Sequence, residues 1–139
     1  MSSEKVFLAV MLAGIVSQII KVSLSTFKDR KIPHIHDLLV TGGMPSTHSA
    51  FVSSMLLIIL LEEAVTSVSV IALVLFIIVI TDSIGVRRTA GEDAKALNKI
   101  IRLEKLKIHK VHYALGHRPI EVLSGVMLGF TVALAVWLI

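Results

Sequence analysis

Four apolar runs without a charged residue dominate this sequence. They cover residues 6–20, 48–61, 65–81 and 122–139, and each is 14 to 18 residues long. A helix needs about 20 residues to cross a hydrocarbon core of about 30 Å, so each run spans a bilayer if it takes in a few flanking residues. The sequence therefore predicts an all-α integral membrane bundle of about four transmembrane helices, with residues 1–139 forming a single domain.

Composition supports a membrane fold and limits its chemistry. Hydrophobic residues make up 55% of the chain and the mean hydropathy is +0.86, whereas soluble domains contain about 45–50% apolar residues. The sequence has no cysteine, which excludes disulfide bonds, thiolate nucleophiles and cysteine-based zinc sites. The first run follows MSSEK without a small-residue cleavage site behind it, which favours a retained helix over a signal peptide.

Charged residues between the runs predict a surface helix and an orientation. Residues 89–118 mix many charges with apolar residues at helical spacing, which is typical of a basic amphipathic helix lying along the membrane surface. Of the 14 Lys and Arg residues, all except Lys5 fall at one face of an up-down bundle. Cytoplasmic loops carry the excess of basic residues, so that face is predicted to be cytoplasmic and both termini to lie outside the cell membrane. This placement favours lipid phosphates over nucleic acid as partners.

The segment GGMPSTHSA, residues 42–50, opens the second run and is rich in hydrogen-bonding groups. Its glycines allow backbone N–H groups to converge, its proline suits a first helical turn, and a helix N-terminus carries partial positive charge. These features predict an anion cradle that includes Gly43, Ser46 and Thr47, with His48 beside it.

Cations from two other runs belong to the same face. Lys21 closes the first run, and Arg87 and Arg88 follow the third. The planar guanidinium of Arg matches phosphate oxygens in bidentate fashion. The cluster indicates a phosphate site, in which Asp82 is assigned a supporting role through pairing with a nearby cation.

His117 and Glu121 stand at positions i and i+4 where the fourth run begins. A carboxylate on one ring nitrogen fixes the tautomer of a histidine and makes the other nitrogen a better nucleophile or base. Together with His48 and the fixed cations, this pair is sufficient for phosphoryl transfer without a metal or other cofactor.

Taken singly, these residues also have structural interpretations. Ser46 or Thr47 caps the second helix, Lys21 extends its ammonium to the interface, and the arginine pair anchors a cytoplasmic loop. Glu121 is an acidic residue in a first helical turn, where the helix dipole favours it. Only the convergence of these residues on one face favours a functional site.

Small residues recur every fourth position in the last run, at Gly125, Gly129 and Ala133. This spacing predicts a helix-packing face. It is used either inside the bundle or at the seam of a homo-oligomer.

Three segments of this chain resemble a known superfamily. PSTHS and GHRPIEVLSGVMLG are similar to the second and third signature motifs of the type 2 phosphatidic acid phosphatase and vanadium-dependent haloperoxidase superfamily. With DSIGVRRTAGEDAKALN they resemble a small divergent membrane branch of it across nearly the whole chain. The resemblance implies that His117 forms a phosphohistidine, Glu121 orients it and His48 protonates the leaving group. It also implies that Lys21, Arg87 or Arg88 holds the phosphate.

The chain departs from the superfamily pattern at three points. The first motif survives only as Lys21 and Lys28, the Ser-Arg pair before the nucleophile is absent, and Glu121 stands where Asp is usual. Either an arginine after the third run supplies the missing cation, or the site has lost its activity.

The sequence thus predicts a lipid phosphate phosphatase acting on a phosphomonoester such as phosphatidylglycerophosphate or its archaeal ether-lipid counterpart. Polyprenyl diphosphate is the alternative substrate, and a non-enzymatic lipid-phosphate binder or carrier is the alternative function. A metal site is a weaker hypothesis because no carboxylate cluster joins the histidines it would need, His34, His36, His109 and His112.

Overall fold

The chain folds as an all-α bundle in its computed structural model. The structure describes residues 3–29, 43–106, 108, 109, 111 and 117–139, without the side chains of residues 28, 29, 87 and 88. Within those ranges there is no β-strand, and the helices are α1 Ser3–Asp29, α2 Thr47–Glu63, α3 Ser67–Ile84, α4 Val86–Leu103 and α5 Pro119–Trp137. The prediction of an all-α membrane bundle is confirmed.

Three stretches of the described chain are long and apolar enough to cross a membrane. They are Ser3–Phe27 in α1, Ser67–Leu103 across α3 and α4, and Pro119–Trp137 in α5. The fourth predicted span corresponds to α2, which has 17 residues and a length of about 26 Å at 1.5 Å per residue. It is the shortest of the five helices and packs in the middle of the bundle, against α1, α3 and α5.

The buried side chains of α2 are mainly polar in its first half and apolar in its second half. Its first half buries the hydroxyl side chains of Ser49, Ser53 and Ser54, and its second half buries Leu56, Ile58 and Ile59. The apolar half forms the core with side chains from the three surrounding helices. These side chains are Ala9, Ala72, Ala133 and Val136. The polar half of α2 therefore lies at one end of the bundle, where the candidate site is found.

Small residues of α5 pack closely against α2. Gly125, Gly129 and Ala133 are buried, and a Cβ atom on Gly125 would overlap the carbonyl oxygen of Ser46. A Cβ atom on Gly129 would overlap the hydroxyl of Ser53. The predicted packing face is thus occupied by α2 of the same chain, and self-association of the protein stays a separate prediction.

The predicted surface helix is shorter than the sequence pattern indicated. α4 is amphipathic and ends at Leu103, whereas the prediction extended it to residue 118. Lys105 adopts a left-handed conformation with φ of 49°, and the N–H of Leu106 donates to the carbonyl of Ile101 over 3.0 Å. This is the hydrogen bond of a Schellman helix end, formed here without the usual glycine. Leu106 and Ile108 accordingly lie beyond the helix.

Candidate functional site

Three helix ends meet at the polar end of the bundle. The N–H of Ser46, which caps α2, donates to the carbonyl of Glu121 in the first turn of α5 over 2.9 Å. The ammonium of Lys21, near the end of α1, donates to the hydroxyl of Thr47 over 3.1 Å. At the opposite end of the bundle, Lys5 donates to the carbonyl of Trp137. Hence α2 and α5 run parallel to each other and antiparallel to α1.

The pair formed by His117 and Glu121 lies at the start of α5. His117 is 5% exposed, and its Nδ1 lies 3.0 Å from Oε2 of Glu121. The same carboxylate oxygen accepts the backbone N–H of Arg118 over 3.1 Å. Pro119 is the first residue of α5, a position that suits its fixed φ and its missing N–H. The sharp start of the helix thereby holds the carboxylate against the imidazole ring.

This geometry favours one tautomer of the imidazole. A carboxylate only accepts hydrogen bonds, so Nδ1 of His117 carries the proton that Glu121 receives. In a neutral ring with that tautomer, the other ring nitrogen, Nε2, keeps its lone pair and is available as a nucleophile or a base. Glu121 also satisfies a backbone N–H at the helix start, so one side chain both caps the helix and orients the histidine.

A second set of polar side chains, near the His117–Glu121 pair, joins α1 to α2. Ser17 and Lys21 are four residues apart on α1, and both donate to the hydroxyl oxygen of Thr47, over 3.0 and 3.1 Å. Electrostatic attraction also acts between Lys21 and Glu121. Gly43 has φ of 86°, and a Cβ atom built on it would lie 3.7 Å from Cγ of Lys21. Two of the predicted cradle residues, Gly43 and Thr47, therefore lie beside the lysine side chain.

Ser46 occupies the N-cap position of α2 and is fully buried. Its hydroxyl oxygen accepts the N–H of Ser49 at 3.4 Å and the hydroxyl of the same residue at 2.9 Å. Ser46 therefore caps α2, as its structural interpretation predicted. Its backbone N–H, which donates to Glu121, fixes the spacing between α2 and α5.

The remaining predicted site residues lie at helix ends or outside the described atoms. His48 is exposed in the first turn of α2, and Asp82 is half-buried in the last turn of α3. The backbone of Arg87 and Arg88 opens α4, but their side chains lie outside the described atoms.

The histidine metal hypothesis falls mostly outside the described residues. Only one of its four histidines, His109, lies in a described position, where it is exposed. Across the described ranges, no group of three or more His, Cys, Asp or Glu side chains is placed to hold a metal ion.

Two polar contacts in the described part of the chain were not predicted from the sequence. The first is the hydrogen bond from Ser17 to Thr47. The only feature of the sequence that points to it is the position of Ser17, a hydroxyl residue in an apolar run one helical turn before Lys21. The second is Asn98 in α4. Its side-chain amide donates to the carbonyl of Val111 over 2.9 Å and accepts the N–H of Val111 over 2.8 Å. This pair of bonds ties Val111 back onto α4.

Comparisons with known proteins found a matching family and a similar membrane protein. Residues 2–132 match the family described as "Divergent PAP2 family". The chain is 34% identical over 138 residues to "Uncharacterized membrane protein YuiD" of Bacillus subtilis (strain 168), with 88% of this chain and 87% of that protein covered. No solved structure matches the chain.

Proposed function

This chain belongs to the Divergent PAP2 family, and we propose that it is an integral-membrane lipid phosphate phosphatase that works through a phosphohistidine. The observation that carries the proposal is the hydrogen bond between Nδ1 of His117 and the carboxylate of Glu121, which leaves Nε2 as a nucleophile. The family relation supports phosphatase-related chemistry, and the buried His117 with its carboxylate partner supplies a means of performing it.

The proposed reaction has two displacement steps. In the first, Nε2 of His117 attacks the phosphorus atom, the P–O bond to the lipid breaks, and the lipid oxygen takes a proton from His48. In the second, His48 accepts a proton from water as the water attacks the phosphohistidine, which releases inorganic phosphate and restores His117. Glu121 stabilises the positive charge on the imidazole ring, and Lys21 neutralises charge on the phosphate oxygens. These groups perform phosphoryl transfer without requiring a metal ion.

The proposed substrate is a phosphomonoester on the cytoplasmic leaflet, such as phosphatidylglycerophosphate or its archaeal ether-lipid counterpart. The excess of Lys and Arg at the site end of the bundle favours a cytoplasmic site. Basic residues at an anionic leaflet also concentrate phosphorylated lipids, by about 1 kcal/mol per charge near the surface. A site at the outer face would instead favour polyprenyl diphosphate.

Sidedness can be measured with single cysteines in this cysteine-free chain. Met44 lies at the site end and Val65 in the loop between α2 and α3, and both are exposed. A membrane-impermeant thiol reagent applied to intact cells is expected to label Val65→Cys and to spare Met44→Cys. The reverse pattern would contradict the cytoplasmic substrate.

The test of the reaction is phosphate release from a panel of lipid phosphates by the purified protein and by His117→Ala. We expect release by the wild-type protein, none by His117→Ala, and normal release by the control His109→Ala, whose side chain is exposed on the segment after α4. Thermal unfolding in detergent checks that each variant folds. A wild-type protein that binds lipid phosphates without releasing phosphate, and still binds them as His117→Ala, would indicate the binder or carrier function instead.

A further inference from the structure

The hydroxyl of Thr47 is the meeting point of a polar chain between α1 and α2. Ser17, which is fully buried, donates to it over 3.0 Å, and Lys21 donates to it over 3.1 Å. Thr47 itself is 8% exposed. The three side chains connect a buried position in an apolar helix with an ammonium at the edge of the candidate site.

The hydrogen-bond donors and acceptors of its two partners determine the role of the Thr47 hydroxyl. A lysine ammonium has donors only, so Thr47 must accept from Lys21. The bond from Ser17 fills the second acceptor position of the same oxygen and fixes where that oxygen lies. Since Ser17 and Lys21 are one helical turn apart on α1, they reach Thr47 from the same face of that helix.

The nearby carboxylate explains why the lysine needs such a partner. Lys21 is attracted to Glu121, the residue that orients His117. Four rotatable bonds would let an unrestrained ammonium settle on that carboxylate and compete with the imidazole for it. The bond to Thr47 instead gives the ammonium a neutral partner and leaves the carboxylate to His117.

We infer that Thr47 is a positioning residue: its hydroxyl, fixed by Ser17, holds the Lys21 ammonium beside the His117–Glu121 pair in the place where a phosphate oxygen is bound. This inference rests on the proposed function and refines the assignment of Thr47 in the cradle. Thr47 acts on the substrate through Lys21 rather than by its own contact with phosphate.

The kinetic test is a double-mutant cycle on Thr47 and Lys21. Thr47→Val keeps the shape and removes the hydroxyl, and is expected to lower kcat/KM about 10- to 100-fold, the range for loss of a hydrogen bond to a charged group. Thr47→Ser restores the hydroxyl and should recover most of this loss. In a Lys21→Met background, Thr47→Val should change kcat/KM by less than about twofold, because its effect is exerted through the missing ammonium.

Three results would overturn the inference. Effects of Thr47→Val and Lys21→Met that multiply would show that Thr47 acts independently of the lysine, as a direct phosphate ligand does. Failure of Thr47→Ser to recover activity would show that the hydroxyl is not the active feature. The control Ser54→Ala removes another buried hydroxyl of α2, one that donates to the carbonyl of Phe51 in its own helix. A loss in Ser54→Ala equal to that in Thr47→Val would reduce the effect to general packing.

A second measurement does not depend on turnover. An amine-reactive acylating reagent, followed by peptide mass spectrometry, gives the labelling rate of Lys21 relative to Lys95, which is exposed on α4. Thr47→Val should raise this ratio roughly 2- to 10-fold, the factor for one net hydrogen bond, and Ser54→Ala should leave it unchanged. An unchanged ratio in Thr47→Val would overturn the inference. Absence of turnover in the wild-type protein would refute the proposed function, and the labelling ratio would then decide whether Thr47 holds Lys21.

Discussion

Replacement of Glu121 by Gln separates the two tasks that this side chain performs. Its Oε2 accepts the Nδ1–H of His117 over 3.0 Å and the N–H of Arg118 over 3.1 Å. A Gln oxygen can accept the same two hydrogen bonds, so the start of α5 should remain capped. The change removes the negative charge beside the imidazole ring while nearly preserving side-chain size.

The expected loss follows from the charge that develops on the ring. When Nε2 of His117 bonds to phosphorus, the imidazole becomes positively charged next to the carboxylate. Two unit charges about 4 Å apart attract by about 4 kcal/mol at an effective dielectric constant of about 20. The Gln oxygen recovers about 1 kcal/mol as a neutral hydrogen bond. The difference of about 3 kcal/mol corresponds to a fall in kcat of about 10², at 1.36 kcal/mol per factor of ten.

The assay compares kcat, KM and thermal unfolding for the wild-type protein, Glu121→Gln and Glu4→Gln. Glu4 is an exposed carboxylate in the first turn of α1, so the control makes the same chemical change at a helix start away from the site. Glu121→Gln should lower kcat with little change in KM, because the proposed role of Glu121 is exerted on the histidine and not on the substrate. An unchanged kcat would leave Glu121 as a helix-capping residue and refute the reasoning.

Three further predictions concern packing, chemistry and the segment before α5. Gly125→Ala should destabilise the protein by about 1–3 kcal/mol and lower phosphate release, because the added Cβ overlaps the carbonyl of Ser46; unchanged thermal unfolding and turnover would contradict this contact. Vanadate should inhibit phosphate release and EDTA should leave it intact, since vanadate mimics five-coordinate phosphorus; loss of turnover in EDTA with recovery in magnesium would argue against a histidine nucleophile. Asn98→Leu should speed trypsin cleavage between α4 and α5, because both bonds to Val111 are lost; an unchanged cleavage rate would show that these bonds do not restrain the segment.

The sequence predicted the parts of the fold that local patterns determine. Uncharged apolar runs correspond to α1, α2, α3 and α5, and the polar turn before the second run contains the N-cap Ser46. The i,i+4 spacing of His117 and Glu121 places their side chains within reach because both residues flank one helix start. Each of these features is set by residues within a few positions of one another.

Contacts between distant parts of the chain were not predictable in the same way. Thr47 lies 26 positions from Lys21 and 30 positions from Ser17. An apolar run that faces lipid on several sides carries little periodicity, so the sequence does not fix how α1 is rotated against α2. The end of α4 at Leu103 was missed for a different reason: its left-handed residue is Lys105, and a lysine gives no signal of a helix stop.

The close approach of α2 and α5 explains why the candidate site forms at this end of the bundle. The absence of side chains at Gly125 and Gly129 lets the two helices run parallel in contact, so that both N-termini lie at the same place. Each helix N-terminus carries a partial positive charge of about half an elementary charge. The Lys21 ammonium lies there as well, and the carboxylate that attracts it, Glu121, is bonded to His117 and to the N–H of Arg118. The packing of small residues thus concentrates positive potential next to the His117–Glu121 pair, which is the arrangement that the proposed reaction of a phosphate ester would require in a medium of low dielectric constant.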